Sequence, residues 1–586
     1  MERQTPVSKL THEAWLPTTR KEVEARGWDT LDVILFSGDA YIDHPSFGAA
    51  IIGRVLESLG LNVAIVPQPD WRGDFRDFTK LGAPRMFFAI SPGAMDSMVS
   101  HYTANKRLRS DDAYTPDKLP GKRPDYPSIV YARILKQLYP DVPIVLGGIE
   151  ASLRRLAHYD YLQDKLLPGI LADSPADLLI YGMGEKPLTE LVKLALKGVP
   201  FDKILNLPQT AYITQENTIS PDDIELFSYE ACLKDKRKQA QNFRIIEEES
   251  NKYASPSRLI QKNGDRMIVV NPPYPPVTTQ ELDAWYDLPF TRLPHPKYKN
   301  KVIPAFEMIK FSVTIHRGCF GGCAFCTISA HQGKHIASRS GESVLREVER
   351  ITKMPDFKGY VSDLGGPSAN MYQMKGKDVS ICRTCKKPSC IFPAICANLI
   401  TDHTPLLKLY SQSEAISGVK KISIGSGIRY DLLLYPGKNE TFNRASRLYI
   451  KTLVTRHVSG RLKVAPEHTE KKVLSLMRKP SFGVFEKFKE IFDRINAEYR
   501  LNQQLIPYFI SSHPGCTESD MAALANKTKK MRLHLEQIQD FTPSPMTLAT
   551  EIYYTGYHPY TLERIATARN LSDKMKQRQF FFWYLD

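Results

Sequence analysis

Three cysteines stand within eight residues, Cys319, Cys323 and Cys326 in the run HRGCFGGCAFC. The spacing C-x-x-x-C-x-x-C supplies three thiolates for a cubane iron–sulfur cluster and leaves its fourth iron without a protein ligand. An iron atom in that state can bind a small molecule and act on it. The loop is rich in glycine, which permits the close approach of backbone to an inorganic cluster.

Two other interpretations of these cysteines start from the same residues. A zinc ion could take the three thiolates with His316 or His331 as its fourth ligand, and three buried structural cysteines would need no metal. Zinc modules usually pair two C-x-x-C units or end in paired histidines, and neither follows here at the usual distance. The spacing therefore favours the iron–sulfur cluster.

A second group of four cysteines follows in CRTCKKPSCIFPAIC, at Cys382, Cys385, Cys390 and Cys396. Basic residues crowd this run, so burial of all four thiols in an apolar core is a poor explanation. Four thiolates could bind zinc or another structural metal, or they could bind a complete auxiliary iron–sulfur cluster. The spacing does not decide between these two alternatives, and it also allows that no metal is bound. Cys232 and Cys516 have no partners in sequence and are expected to be packing residues.

The composition indicates a globular protein of several domains. The 586 residues suggest about three or four domains, and hydrophobic residues make up 42% and charged residues 24%. No apolar run approaches the roughly 20 residues that cross a bilayer. The metal-type cysteine spacing and the polar N-terminus predict a cytoplasmic protein without a membrane segment. The net charge of +15 is compatible with an anionic partner such as RNA, or with a solvated surface.

Short apolar strands alternate with amphipathic helices over residues 1–214. LDVILFSG is followed by the helical pattern FGAAIIGRVLESLG and then by NVAIV, with PRMFFAIS, PIVLGG and ADLLIYG further on. Such alternation predicts a doubly wound α/β domain with a parallel sheet, of Rossmann-like type. Residues 215–304 are rich in proline and aromatic residues, and we expect them to form an extended connecting segment.

From residue 305 the alternation resumes and continues to about residue 555. Repeated βα units with polar residues at the strand ends predict a full or partial TIM-like barrel. Residues 367–405, which carry the second cysteine group, form an insertion in that barrel. Residues 556–586 are predicted to be a helical extension.

The first cysteine run, with the aromatic Phe325 before its last cysteine, resembles the radical SAM superfamily. The resemblance implies a [4Fe-4S] cluster whose open iron chelates S-adenosylmethionine. It also implies an electron transfer that breaks a sulfur–carbon bond and releases a 5'-deoxyadenosyl radical. Phe325 would then lie near the adenine.

The same resemblance suggests further residues that contact the cofactor. Gly365 and Gly366, in DLGGPSANMY, occupy the place of a Gly-Gly-Glu motif that binds the methionine amino group, with a proline in place of the glutamate. Ser426 and Arg429, in IGSGIRYD, stand where the superfamily contacts the ribose or the methionine carboxylate. Glu467, in VAPEHTE, could reach the ribose or the substrate.

Nearly the whole chain resembles the YgiQ-type family of radical SAM proteins, whose biochemical role is uncharacterised. The resemblance rests on GDAYIDHPSFG, GGIEASLRR, YGMGE, LPHPKY, GGPSANMY, SGIRYD and YFISSHPGC, besides the cysteine run. The N-terminal domain is similar to the cobalamin-binding domains that precede some radical SAM barrels. Those domains carry an Asp-x-His-x-x-Gly loop, and YIDHPSFG departs from its spacing at His44, so the sequence argues against bound cobalamin.

We therefore expect a radical SAM enzyme that abstracts a hydrogen atom from an unidentified RNA, peptide or small molecule. It would need a low-potential electron donor of flavodoxin or ferredoxin type. The alternative is a non-enzymatic protein that keeps an iron–sulfur cluster for binding or redox sensing. Such a protein would leave the residues that match the S-adenosylmethionine site without a purpose.

Overall fold

A computed structural model describes residues 12–216, 219–254, 256–533 and 535–584 of the chain. The chain divides into two compact units. The N-terminal unit comprises Met1–Asp235, Ser255–Pro275 and Glu281–Lys310. The C-terminal unit comprises Lys236–Ala254, Pro276–Gln280 and Phe311–Asp586.

The N-terminal unit is built on one sheet of nine strands. Its strands, together with a separate hairpin of β5 and β6, are β1 Val33–Ser37, β2 Val63–Pro67, β3 Phe87–Ser91, β4 Ile144–Leu146, β5 His158–Asp160, β6 Lys165–Leu167, β7 Leu178–Ile180, β8 Thr210–Thr214, β9 Ile224–Glu225, β10 Leu259–Asn263 and β11 Arg266–Val270. The order is β2-β1-β3-β4-β7-β8-β11-β10-β9. The first five strands in this order run parallel, as the sequence predicted for a doubly wound domain.

The parallel strands are apolar on both faces because helices cover both faces of such a sheet. All five residues of β1 and all five of β2 are buried. Up to residue 310 the chain forms the α-helices Arg20–Ala25, Gly48–Ser58, Arg76–Thr79, Ser97–His101, Pro127–Leu138, Gly148–Leu153, Ile170–Asp173, Glu185–Leu196, Tyr229–Lys234, Lys236–Ser250, Thr279–Tyr286 and Pro304–Ile309.

The segment 215–304 is not the extended connector that its prolines suggested. It contributes β9, β10 and β11 to the sheet, and β11 pairs antiparallel with β8. The run LIQKNGDRMIVV contains a hairpin signal, two apolar strands around a two-residue turn at Gly264 and Asp265. The prolines of NPPYPP come after β11, so they follow the strand and do not interrupt it.

Helix Lys236–Ser250, from the same segment, belongs to the C-terminal unit. There Gln239 Nε2 donates to Glu551 Oε2 at 3.1 Å, and Arg478 pairs with Glu247 at 2.7 Å. The C-terminal unit otherwise begins at Phe311, whereas the sequence placed this boundary at residue 305.

The N-terminal sheet has a small cavity of about 10 Å³ at the carboxyl ends of β1 and β3. Its lining includes Ser37, Asp39, Phe47 and Gly93. Burial raises the pKa of Asp39 to about 6, and the charge of Arg123 opposes that rise. Ligands of open α/β sheets bind at such strand ends.

The C-terminal unit repeats strands and helices in alternation. Its strands are β12 Ser312–Thr314, β13 His316–Arg317, β14 Ala337–Ser338, β15 Tyr360–Val361, β16 Asp363–Gly365, β17 Lys421–Ile422, β18 Arg461–Glu467, β19 Gln504–Ser511 and β20 Gln537–Asp540. Strand β12 pairs parallel with β16, β15 with β17, and β18 with β19, which in turn pairs with β20. The short strands β13 and β14 pair antiparallel.

The α-helices of this unit after residue 311 are Ile328–Gln332, Gly341–Thr352, Val379–Arg383, Thr404–Glu414, Tyr430–Leu433, Glu440–Thr452, Lys471–Leu476, Phe482–Glu498, Glu518–Lys530, Leu548–Thr555 and Leu571–Gln579. Ser340 caps the second of them by accepting from the Ser343 amide. In the C-terminal segment, Gln577 Oε1 accepts from the Ser512 amide at 2.9 Å, which fastens helix Leu571–Gln579 to the end of β19.

In the described parts of the chain, no helix has both the length and the apolar character that crossing a membrane requires.

Candidate functional site

The first cysteine run forms a loop between β13 and helix Ile328–Gln332. The Cys319 amide donates to the Gly333 carbonyl at 3.1 Å, and the Cys326 amide to the Cys323 carbonyl at 3.1 Å. The loop is tied to the rest of the unit through Ala324, whose amide donates to the Met477 carbonyl at 3.0 Å and whose carbonyl accepts from the Ala549 amide at 2.8 Å. The backbone therefore holds the three thiols in place.

Gly321 lies at the point where the loop's polar atoms converge. A Cβ atom added there would stand 3.0 Å from Arg429 Nη1, 3.2 Å from Cys319 Sγ and 3.9 Å from Cys323 Sγ. Any side chain at this position would fill the space between the thiols and the guanidinium. The structure thus brings Arg429, named from the sequence, to two of the three cysteines.

The thiols act on one another's ionisation. Burial raises the pKa of Cys326 to about 12, and the neighbouring Cys323 and Cys319 add to the rise. Burial also raises the pKa of Cys319, with Cys323 adding to it and Arg429 opposing it. Thiolates in this environment need a positive partner, which a bound metal centre supplies.

Arg429 is held by a carboxylate that the sequence reasoning missed. Its Nε and Nη2 donate to Asp431 Oδ1 and Oδ2 at 2.9 and 2.6 Å, and its amide donates to Asn370 Oδ1 at 2.7 Å. Nη1 remains directed at Cys323 Sγ, 3.6 Å away. The bidentate edge expected to meet a ligand carboxylate is therefore occupied by Asp431. The presence of Asp431 two residues after Arg429, in the run R-Y-D, could have predicted this contact from the sequence.

Glu467 ends β18 in a strained conformation next to the same loop. The β18–β19 register shifts between Val464 and Glu467, and Glu467 has a φ of 69°. Its carboxylate lies 3.5 Å from Lys479 Nζ. Burial raises the pKa of Glu467 while Lys479 opposes the rise, and the charge of Glu467 contributes to the raised pKa of Cys326. Strained, buried and charged groups of this kind cluster at functional sites.

Gly365, at the end of β16, lies beside Ser426, which follows β17 in the chain. A Cβ at Gly365 would stand 2.5 Å from Ser426 Oγ. The Ser426 hydroxyl donates to Asp363, whose Oδ1 also accepts from the Gly425 amide at 2.8 Å and the Ser426 amide at 3.1 Å. Asp363 therefore holds the IGSG loop against β16. The position of Asp363 directly before the Leu-Gly-Gly run could have identified it from the sequence as a residue of this site.

Gly366 faces a buried histidine. A Cβ at Gly366 would stand 2.5 Å from His316 Cε1. Both ring nitrogens of His316 are buried without a hydrogen-bond partner among the described residues, and burial lowers its pKa to about 3. His316 thus packs as a neutral ring behind the Gly-Gly turn.

Phe325 packs against the segment that follows β19 in the C-terminal unit. Its ring centroid lies 6.1 Å from that of His513, with the two rings nearly perpendicular. His513 Nδ1 contacts the Pro514 carbonyl at 2.9 Å. The structure therefore places Phe325 beside the SHPG turn. Next to that turn, Cys516 Sγ lies 3.5 Å from His468 Nε2, a thiol–imidazole contact that the sequence did not predict.

The three thiols are a donor set that an iron–sulfur cluster uses. Among the described residues, no group of three or more His, Cys, Asp or Glu side chains is arranged to hold one metal ion. Each cysteine of a cubane binds a different iron, so its three sulfur atoms stand further apart than the ligands of one ion. The space that Gly321 leaves between the Cys319 and Cys323 sulfurs would accommodate such a group. Cys319, Cys323 and Cys326 would be its ligands.

Comparisons with known proteins identify the family of this chain. The family described as "Radical SAM N-terminal" matches residues 15–312. A "UPF0313 protein" of Bacteroides thetaiotaomicron is 66% identical over 583 residues, covering 97% of this chain and 94% of the relative. The "UPF0313 protein YgiQ" of Escherichia coli (strain K12) is 43% identical over 601 residues, covering 93% and 80%. The chain therefore belongs to the UPF0313 (YgiQ) family within the radical SAM superfamily.

The solved structures to which the chain is similar are more distant. The radical S-adenosylmethionine methyltransferase TsrM from Kitasatospora setae, with cobalamin and a [4Fe-4S] cluster bound, aligns at 13% identity and a TM-score of 0.48, covering 89% of this chain and 74% of that one. The cobalamin-dependent radical enzyme OxsB with aqua-cobalamin bound aligns at 11% identity and a TM-score of 0.49, covering 91% and 56%.

The expectation against cobalamin conflicts with these solved structures, whose enzymes hold that cofactor. The expectation was drawn from the spacing of one loop, YIDHPSFG. That spacing concerns only whether His44 would bind the cobalt, and it says nothing about the rest of a cobalamin site. In the structure His44 is buried, its Nδ1 accepts from the Ser46 amide at 3.1 Å, and its Nε2 has no partner among the described residues.

Proposed function

We propose that the protein is a radical SAM enzyme that cleaves S-adenosylmethionine reductively at a [4Fe-4S] cluster held by Cys319, Cys323 and Cys326. The observation that carries this proposal is the convergence of two cysteine sulfurs and the Arg429 guanidinium around Gly321. The cluster, when bound, supplies one electron that breaks the sulfur–C5' bond, yielding methionine and a 5'-deoxyadenosyl radical. That radical takes a hydrogen atom from the substrate and becomes 5'-deoxyadenosine.

In this proposal, residues of the chain itself bind and orient S-adenosylmethionine. Phe325 offers an aromatic face beside the SHPG turn for the adenine. The Asp363–Ser426 hydrogen bond supports the IGSG loop, on which the ribose or the methionine would rest. Glu467 and Lys479 form a buried polar pair near the cysteine loop.

The C-terminal unit suits this role as a partial TIM-like barrel. Its parallel strand pairs are separated by helices, and the candidate residues follow β13, β16, β17 and β18 at the carboxyl ends of the strands. Catalytic residues of such barrels come from those ends. The electron would come from an external low-potential donor of flavodoxin or ferredoxin type.

The test is formation of 5'-deoxyadenosine. Anaerobically reconstituted protein is incubated with dithionite and S-adenosylmethionine, and the product is quantified by chromatography. We expect product from the parent protein and from Cys232→Ala, which removes a buried thiol of the N-terminal unit, and none from Cys326→Ala.

A second measurement covers the case in which cleavage waits for substrate. Addition of S-adenosylmethionine should change the spectrum of the reduced cluster in the parent and not in Cys326→Ala. An intact cluster in the parent that neither forms product nor responds to S-adenosylmethionine would contradict the proposal. That result would favour a non-enzymatic iron–sulfur protein.

A further inference from the structure

The second cysteine segment lies directly against the first cysteine loop in the C-terminal unit. The Cys390 amide donates to the Phe320 carbonyl at 3.0 Å, and Ser389 Oγ donates to the Gly321 carbonyl at 2.8 Å. Cys319, Cys390 and Cys396 pack around one small apolar cluster that includes Phe320 and Met371. The insertion expected from the sequence is therefore part of the wall of the candidate site.

Backbone contacts bring the four cysteines of this segment together in two pairs. The Cys385 amide donates to the Cys382 carbonyl at 3.2 Å, and the Cys396 amide donates to the Cys390 carbonyl at 2.8 Å. Asn398 Nδ2 donates to Cys382 Sγ at 3.4 Å. The Leu399 amide donates to the Cys396 carbonyl at 2.9 Å, so the Asn398–Leu399 pair links the Cys382 end of the segment to its Cys396 end.

A buried ammonium completes this group. Lys334 is 2% exposed, and its Nζ lies 3.9 Å from Cys385 Sγ and 2.5 Å from the Lys387 carbonyl oxygen. Within the described residues no carboxylate forms an ion pair with it. A buried ammonium without an anionic partner is costly. Four neutral thiols would not compensate the positive charge of Lys334, whereas metal-bound thiolates carry negative charge next to it.

We propose that Cys382, Cys385, Cys390 and Cys396 bind an auxiliary [4Fe-4S] cluster, adjacent to the first cysteine loop and balanced by the Lys334 ammonium. Each of its four irons has one thiolate ligand, so this cluster has no open iron and does not bind S-adenosylmethionine.

The geometry favours a cluster over a zinc ion. In the described part of the chain these thiols do not form a group suited to one metal ion, which four ligands of a tetrahedral zinc would do. Asn398 and Lys334 direct N–H groups at two of the sulfurs, and hydrogen bonds of this kind tune iron–sulfur clusters.

Metal and sulfide content tests this proposal without relying on any reaction. A Cys319→Ala/Cys323→Ala/Cys326→Ala variant is reconstituted anaerobically, and its iron, sulfide and zinc are measured per chain. We expect about four irons and four sulfides in this variant, and about eight of each in the parent. Cys232→Ala is the matched control, since it removes a buried cysteine outside both groups, and it should keep the parental content.

The converse variant, Cys385→Ala/Cys390→Ala, should lose about half of the parental iron. One zinc per chain in the triple variant, or no metal at all, would overturn the proposal. If the triple variant does not fold, the parent decides, because about four irons in it would leave no room for a second cluster. Failure of S-adenosylmethionine cleavage alone would not affect this result, so the two proposals can fail separately.

Discussion

Replacing Arg429 by leucine should affect stability and chemistry by separable amounts. The guanidinium and the Asp431 carboxylate are 10% and 9% exposed, and their side chains are 2.6 Å apart. Removing one partner of a buried ion pair leaves the other charge uncompensated, which costs about 3–5 kcal/mol. Arg429→Leu should therefore lower the free energy of unfolding of the C-terminal unit by about that amount.

A double variant separates the two effects. In Arg429→Leu/Asp431→Leu both charges are gone, and replacing a buried pair by apolar residues of similar volume is often neutral. We expect the double variant to regain most of the stability that Arg429→Leu loses. It does not regain the contact of Arg429 Nη1 with Cys323 Sγ at 3.6 Å.

The chemical effect follows from that contact. A hydrogen bond to a charged group contributes about 1.5–3 kcal/mol, which corresponds to about a 10- to 150-fold change in rate. The double variant should be stable and yet form 5'-deoxyadenosine at a rate lower by about that factor. Unfolding is followed by urea titration and cleavage by product chromatography, on the same reconstituted samples.

Two outcomes would refute this reasoning. A double variant that forms product at the parental rate would mean that Arg429 only fills space beside Asp431. An Arg429→Leu variant as stable as the parent would mean that the buried pair does not form as described. Iron content must be equal in all samples, because loss of the cluster would imitate loss of Arg429.

Two other perturbations test the site and its support. Gly366→Ala would force a Cβ to within 2.5 Å of the His316 ring, so we expect a loss of about 1–3 kcal/mol in urea unfolding; Gly427→Ala, which meets nothing within 4 Å, is the matched control and should be close to neutral. Glu551→Gln removes a carboxyl whose pKa burial raises from 4.5 to about 8, opposed by a hydrogen bond from Gln239. The folded protein therefore holds a proton that the unfolded chain releases above about pH 4.5, and stability should fall as the pH rises from there to about 8. In thermal melts Glu551→Gln should flatten this fall, and equal pH profiles for parent and variant would contradict the assignment.

The first cysteine loop and the class of protein could be predicted from local sequence. A cluster loop needs its thiols at a fixed spacing, and the chain carries that spacing within eight residues. The alternation of apolar strands and amphipathic helices likewise predicted the parallel sheet, because strand and helix periods are properties of short segments. The hairpin of β10 and β11 was missed because nearby prolines outweighed an equally local turn signal.

Only the tertiary structure decided which partners these residues contact. Arg429 and Cys323 lie 106 positions apart in sequence, and nothing in either segment predicts that the guanidinium divides its edges between a thiol and Asp431. Lys334 similarly meets Cys385 from 51 positions away. Such contacts depend on how strands and loops pack, because a side chain's partner is determined by the fold and not by the residues next to it.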